Sequence, residues 1–142
     1  MSTHPPSLQV RARCDVGQDL RLALEGTDPL LLSELPGDPG WTPEALEVAA
    51  VAAAFVAAFR AASRDARGVW SRIEVHASGL MEPVGDGQRL AGIGLDVMLE
   101  LAPGAPTDAV EHALHQAERE APLALSVACP VHMRGHIRAD WA

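Results

Sequence analysis

Two cysteines, six histidines and three tryptophans are the side chains best suited to chemistry in this chain. The thiols are Cys14 and Cys129, and a thiolate could act as a redox nucleophile or a metal ligand. By strand parity both fall on apolar sides, where burial suppresses ionisation and a free cysteine serves as a small core residue. An inert pair and a relocated redox pair both remain open. Cys129-x-x-His132, with His136 beyond it, has the look of metal-ligand spacing. On a strand, however, position 129 faces opposite to 132 and 136. His132 and His136 share a face, but the sequence places no carboxylate or third imidazole with them. They read as solvated strand residues. His112 and His115 stand three apart on a helical pattern, close enough to meet. They share their side with Glu111 and Glu118, which reads as an exposed surface. His76 falls on the polar side of a strand. No metal or other cofactor is expected. Trp41, Trp70 and Trp141 are too scattered to make a stacking platform. The chain has no phosphate loop and no serine nucleophile elbow. Glu44 reads most simply as a first-turn carboxylate favoured by a helix N-terminus.

The element that must position these groups is the stretch Trp41 to Gly68. Thr42 can cap a helix there, and Pro43 suits the first helical position. Arg60, Arg64 and Arg67 crowd the far end, Asp65 offsets part of their charge, and Gly68 supplies the stop. Val48 to Phe59 is an unbroken apolar run, so burial on all sides is expected. From Thr42 to about Ser63 such a helix would be roughly 33 Å long. A domain of this size has a radius of gyration of about 14 to 15 Å. One short chain can hardly wrap the helix completely, so a second copy is expected to cover part of it.

Around this helix the periodicity is that of strands. Residues 1–6 are expected to fray. Leu8, Val10, Ala12 and Cys14 alternate with polar residues, and after a turn at 15–18 so do Leu20, Leu22 and Leu24. Leu30 to Leu32 could form a third strand, and 37–40 a loop. Beyond Gly68, Ile73, Val75 and Ala77 alternate, then turn chemistry at 83–87, then Ile93 through Leu101, the clearest strand of the chain. Thr107 caps a second amphipathic helix, which Pro122 is expected to interrupt, with a short turn of helix continuing through Leu125. Val131, Met133, Ile137 and Trp141 share one face of a closing strand.

The 142 residues suggest one domain, residues 1–142, and 48% apolar composition argues against disorder. A net charge of −8 argues against nucleic acid and anionic membranes as partners. No apolar leader opens the chain, and the apolar run is shorter than the roughly 18 to 20 residues of a membrane span. Reduced thiols and a cytoplasmic location follow as expectations.

Three local matches, in order, resemble the OsmC/Ohr family of small thiol peroxidases. Thr42-Pro43-Glu44-Ala45-Leu46 and its alanine-rich continuation resemble "(N/S)PEeL…aAlaaCf". Ile73-Glu74-Val75 to Gly79-Leu80, a turn, and Ile93 to Leu101 resemble the family's middle hairpin. Ala117 to Leu123 resembles "AekaCPv". The resemblance implies an α+β fold, β(3)-α-β(2)-α(2)-β, in which two subunits interleave into a homodimer around a long buried central helix. It also implies a role in organic hydroperoxide reduction and oxidative stress. The family's two reactive cysteines fall on Ala54 and Ala121, which cannot form a thiolate. Glu44 matches the motif's glutamate, and Arg11 and Arg13 are candidates for its partner arginine. Three functional readings follow. The chain could have lost peroxidase activity and bind a small hydrophobic molecule in a pocket involving Glu44, Ala54, Phe55 and Ala121. It could be a hydroperoxide reductase using Cys14 and Cys129. It could be a structural or interaction protein without a ligand.

Overall fold

The computed structural model describes residues 9–13, 15, 20–24, 26–32, 40–64, 69–125 and 129–139. The expected fraying at 1–6, Cys14, most of the 15–18 turn and of the 37–40 loop, the segment Asp65 to Gly68, and Trp141 lie outside them. The length suggests one domain; the contacts gather into two compact units, Met1–Leu46 and Glu47–Ala142.

The first unit holds a three-stranded antiparallel meander, β1 (Val10–Arg13), β2 (Leu20–Leu24) and β3 (Leu30–Leu32). Val10 pairs with Leu24, Ala12 with Leu22, Leu22 with Leu30 and Leu20 with Leu32. Directly paired residues share a face, so this register gathers Leu20, Leu22, Leu24, Leu30 and Leu32 on one side. Arg11, Arg13, Arg21 and Leu31 fall on the other. The apolar face stays open towards β1, where Val10 is 62% and Leu24 44% exposed.

Helix α1 (Pro43–Ala62) starts as its sequence dictates. The Ala45 N–H donates to Thr42 Oγ1 at 3.1 Å, and Pro43 takes the first helical position. In the second unit, β4 (Trp70–Val84) and β5 (Gly87–Leu101) form a long antiparallel hairpin. Gly85, at φ +59°, makes the tight loop, since that conformation suits the twist of a two-residue hairpin turn. Helix α2 (Asp108–Leu125) then carries the chain to β6 (Val131–Ala139), which lies parallel to β5. A parallel pair requires such a crossover. The sheet order is β4-β5-β6.

The core lies on one face of this sheet. Ile93, Leu95, Val97, Leu99 and Leu101 of β5 point inward. Val51, Phe55 and Phe59 of α1 meet them, as do Val110, Ala113, Leu114, Ala117 and Ala121 of α2. The Phe59 and Trp70 rings add an edge-on contact with centroids 5.2 Å apart. Gly79 lets α1 approach: a Cβ there would stand 2.7 Å from Leu90 Cδ1 and 2.8 Å from Val48 Cγ2.

As expected of one short chain, α1 is not covered on every side: Val51, Phe55 and Phe59 are buried, while Ala50, Ala53, Ala57 and Ala61 are exposed. The sheet presents one face, and a helix laid on it buries one stripe. Two expectations need correction. Pro122 does not divide α2, which runs on through Leu125. Proline removes one i→i−4 bond and crowds the carbonyl four residues back, which can bend a helix without ending it. Finally, the expectation that no segment is long enough to span a bilayer counted only the unbroken apolar run. With its flanking turns α1 reaches 20 residues and is long and apolar enough to do so. Core helices pass the same test, and here one side of α1 is packed into a core.

Phe55→Ala is expected to remove about 3 to 5 kcal/mol of stability by opening a cavity. A lower urea midpoint with unchanged slope would show it. Gly79→Ala should cost about 1 to 3 kcal/mol by overpacking against Val48. Wild-type midpoints in both variants would refute this account of the core.

Candidate functional site

Two regions bear on chemistry. The first is where α1 and α2 meet the inner sheet face. Ala54 stands beside the fully buried Phe55 on α1 and is partly buried against the core cluster. Ala121, on α2, is 1% exposed and belongs to the same cluster. The period of each helix turns these positions inward, and the parallel crossover brings the two helices over one sheet. The structure therefore gathers Ala54, Phe55 and Ala121 around a common apolar core. Methyl and phenyl groups there can exclude water and contact apolar matter, but offer no nucleophile. Glu44 sits in the exposed first turn of α1.

Cys129 precedes β6 and is partly buried against the same core. Cys14 is outside the described residues. Arg11 and Arg13 lie on the polar face of the first sheet, where Arg13 Nε reaches Asp15 at 3.3 Å.

The second region is the outer face of the β4-β5-β6 sheet. His76, His132 and His136 are exposed there, as strand parity predicts. His136 does have a carboxylate, contrary to the sequence reading: its Nε2 stands 3.2 Å from Asp96 Oδ1. Glu74 lies 3.4 Å from His76 Nε2 and 3.7 Å from Arg72. The Asp96–His136 contact arises because β6 lies beside β5, which alternation along a single strand does not reveal, whereas Arg72, Glu74 and His76 all stand on one face of β4. On α2, His112 and His115 are exposed, with His115 Nδ1 3.9 Å from Glu118. Among the described residues no three His, Cys, Asp or Glu side chains are grouped to hold a metal ion.

Comparison with known proteins bears on both regions. No curated protein matches the chain. Among solved structures, an OsmC-like protein from Mycoplasma pneumoniae superposes with a TM-score of 0.77 at 11% identity, covering 96% of this chain and 100% of that one. An organic hydroperoxide resistance protein from Elizabethkingia anophelis gives 0.69 at 15%, covering 98% and 100%. One from Bacillus subtilis gives 0.60 at 18%, covering 93% and 98%. At such identities these likenesses establish the fold, an α+β arrangement of two sheets and two helices. The model of the family described as OsmC-like protein matches residues 36–134, from the loop before α1 into β6. With the match running through both helices and the long hairpin, this chain belongs to the OsmC-like protein family.

Proposed function

We propose that this chain is an OsmC/Ohr-like protein that has lost thiol-peroxidase activity and binds a small hydrophobic molecule at the interface of a homodimer. The observation that carries the reading is alanine at both positions matched to the family's cysteines. Ala54 and Ala121 face one apolar core, where two thiols would otherwise stand. A methyl group has no proton to lose and no lone pair to attack an O–O bond. Removing two sulfur atoms leaves apolar room and takes away the polar handle of a peroxide site. Organic hydroperoxide resistance proteins among the structural relatives support an ancestral role in peroxide resistance. The remaining described thiol, Cys129, packs against the core, which supports the inert reading.

A homodimer is supported by apolar surface that one chain leaves open. Val10 and Leu24 are exposed on the leucine face of the first sheet, and Ala50, Ala53, Ala57 and Ala61 line the outer side of α1. A second copy would cover them and close the pocket. The proposed setting is the cytoplasm, where the thiols stay reduced.

Intact-mass spectrometry after stoichiometric cumene hydroperoxide, with alkylation of free thiols, tests the loss of chemistry. Two thiols that remain alkylatable are expected; a rapid loss of two hydrogens would transfer the function to a Cys14–Cys129 pair. Apolar ligands should raise the melting temperature, because whatever binds only the folded state stabilises it. No shift across a panel of fatty acids and aromatic hydrocarbons would favour a structural role. The protein should sediment as a dimer at micromolar concentration, and a stable monomer would remove the interface. Ala54→Cys combined with Ala121→Cys should form an intrasubunit disulfide in air. Four persistent free thiols, Cys14 and Cys129 included, would break the match of these positions to the family motif.

A further inference from the structure

The outer face of the β4-β5-β6 sheet carries a groove that the proposed function does not use. It encloses about 310 Å³ between β4 and β6, and two cross-strand rows build it. Ser78, Gly94 and His132 form the first, and His76, Asp96 and Arg134 the second; Glu74, Met98 and His136 make the next row along the sheet, beyond the groove. Strands lie about 4.8 Å apart, so the β4 and β6 backbones are roughly 10 Å apart across β5. Gly94 leaves the floor of the first row open. A Cβ there would come within 3.2 Å of Ser78 Oγ. The side chains of Ser78 and His132 rise on either side of that floor. The space between them suits one compact group.

The charges are distributed unevenly. Glu74 is held by Arg72 and His76, and Asp96 Oδ1 by His136. Both carboxylates are thus drawn towards basic partners. Among the described residues His132 and Arg134 are in no hydrogen bond or ion pair, although both line the groove. Arg134 offers a planar fork of donors, and Ser78 and His132 can each donate one more hydrogen bond. Asp96 accepts only. Any oxyanion in the groove must therefore satisfy several donors and one carboxylate together. A fully ionised anion would meet Asp96 with repulsion. An oxyanion that retains a proton can donate it to the free Asp96 oxygen while its other oxygens accept from Arg134, His132 and Ser78.

We propose that this groove binds inorganic phosphate, which keeps a proton at neutral pH, seated over Gly94 between Ser78, His132 and Arg134, with Asp96 accepting that proton. The site lies within one chain and is independent of the apolar pocket. Asp96 sets its selectivity: phosphate keeps a proton at neutral pH and sulfate does not. The side chains are solvent-exposed, so the affinity is modest and the discrimination is the sharper signature.

Isothermal titration of the full-length protein with inorganic phosphate and with sulfate, at pH 6.8 and matched ionic strength, tests this. Phosphate should bind in the millimolar range and sulfate about tenfold more weakly. Arg134→Gln should weaken phosphate by about tenfold, as expected when a charged hydrogen bond is lost. Gly94→Ala, which fills the floor without changing charge, should weaken it as well. Asp96→Asn should abolish the preference, because an amide can donate to sulfate. Circular dichroism would establish that the variants are folded. Equal binding of the two anions by the wild type, unchanged binding in Arg134→Gln, or no binding of phosphate would each overturn the proposal. Glucose 6-phosphate, mostly a proton-free dianion at pH 6.8, should bind more weakly than inorganic phosphate, and tighter binding of the monoester would overturn the role given to Asp96.

Discussion

The packing of two helices onto the inner face of β5 is the interaction on which the rest depends. Ile93, Leu95, Val97, Leu99 and Leu101 make one side of that strand continuously apolar. Phe55 and Phe59 supply the bulk from α1, and Val110 and Leu114 from α2. Burying such side chains contributes about 1.5 to 3 kcal/mol each, so this layer dominates the stability of the second unit. It also fixes its geometry. With both helices on one side, β5 must sit between β4 and β6, and the opposite face of the sheet is left to polar side chains.

That one constraint places both functional regions. On the inner side it brings Ala54 and Ala121 to a shared apolar core, where their methyl groups offer packing but no nucleophile. On the outer side it sets strands from distant parts of the chain side by side. Asp96 meets His136 across forty residues of sequence, and Ser78 and His132 flank Gly94. Two basic side chains without partners among the described residues, His132 and Arg134, stand on the outer side. A fold of this kind has room for a second site, because the sheet presents a second face that the core does not consume.

Much of this was legible in the chain because periodicity is local. Alternation at 93–101 marked the inner and outer faces of β5 residue by residue, and the capping Thr42 and Pro43 fixed the start of α1. The motif around Ala117 to Leu123 pointed to Ala121 as an inward position, and it is buried. An alanine-rich helix reads as apolar on every side; within this chain it meets a single sheet, so its burial there is one-sided. Pro122 misled, since a proline costs one backbone bond and a local clash with the carbonyl four residues back, which a packed helix can absorb.

The sequence by itself determined the kind and order of the elements, the polarity of each strand face and the absence of cysteine at the two motif positions. These depend on side-chain spacing along the backbone and on residue identity. Only the tertiary structure decided which strands are neighbours, that β6 runs parallel to β5, and therefore that Asp96 pairs with His136 and that Gly94 opens a groove between Ser78 and His132. Pairing between strands so far apart in sequence is set by how two helices bury their apolar stripes against one sheet. No single strand carries that information in its own alternation.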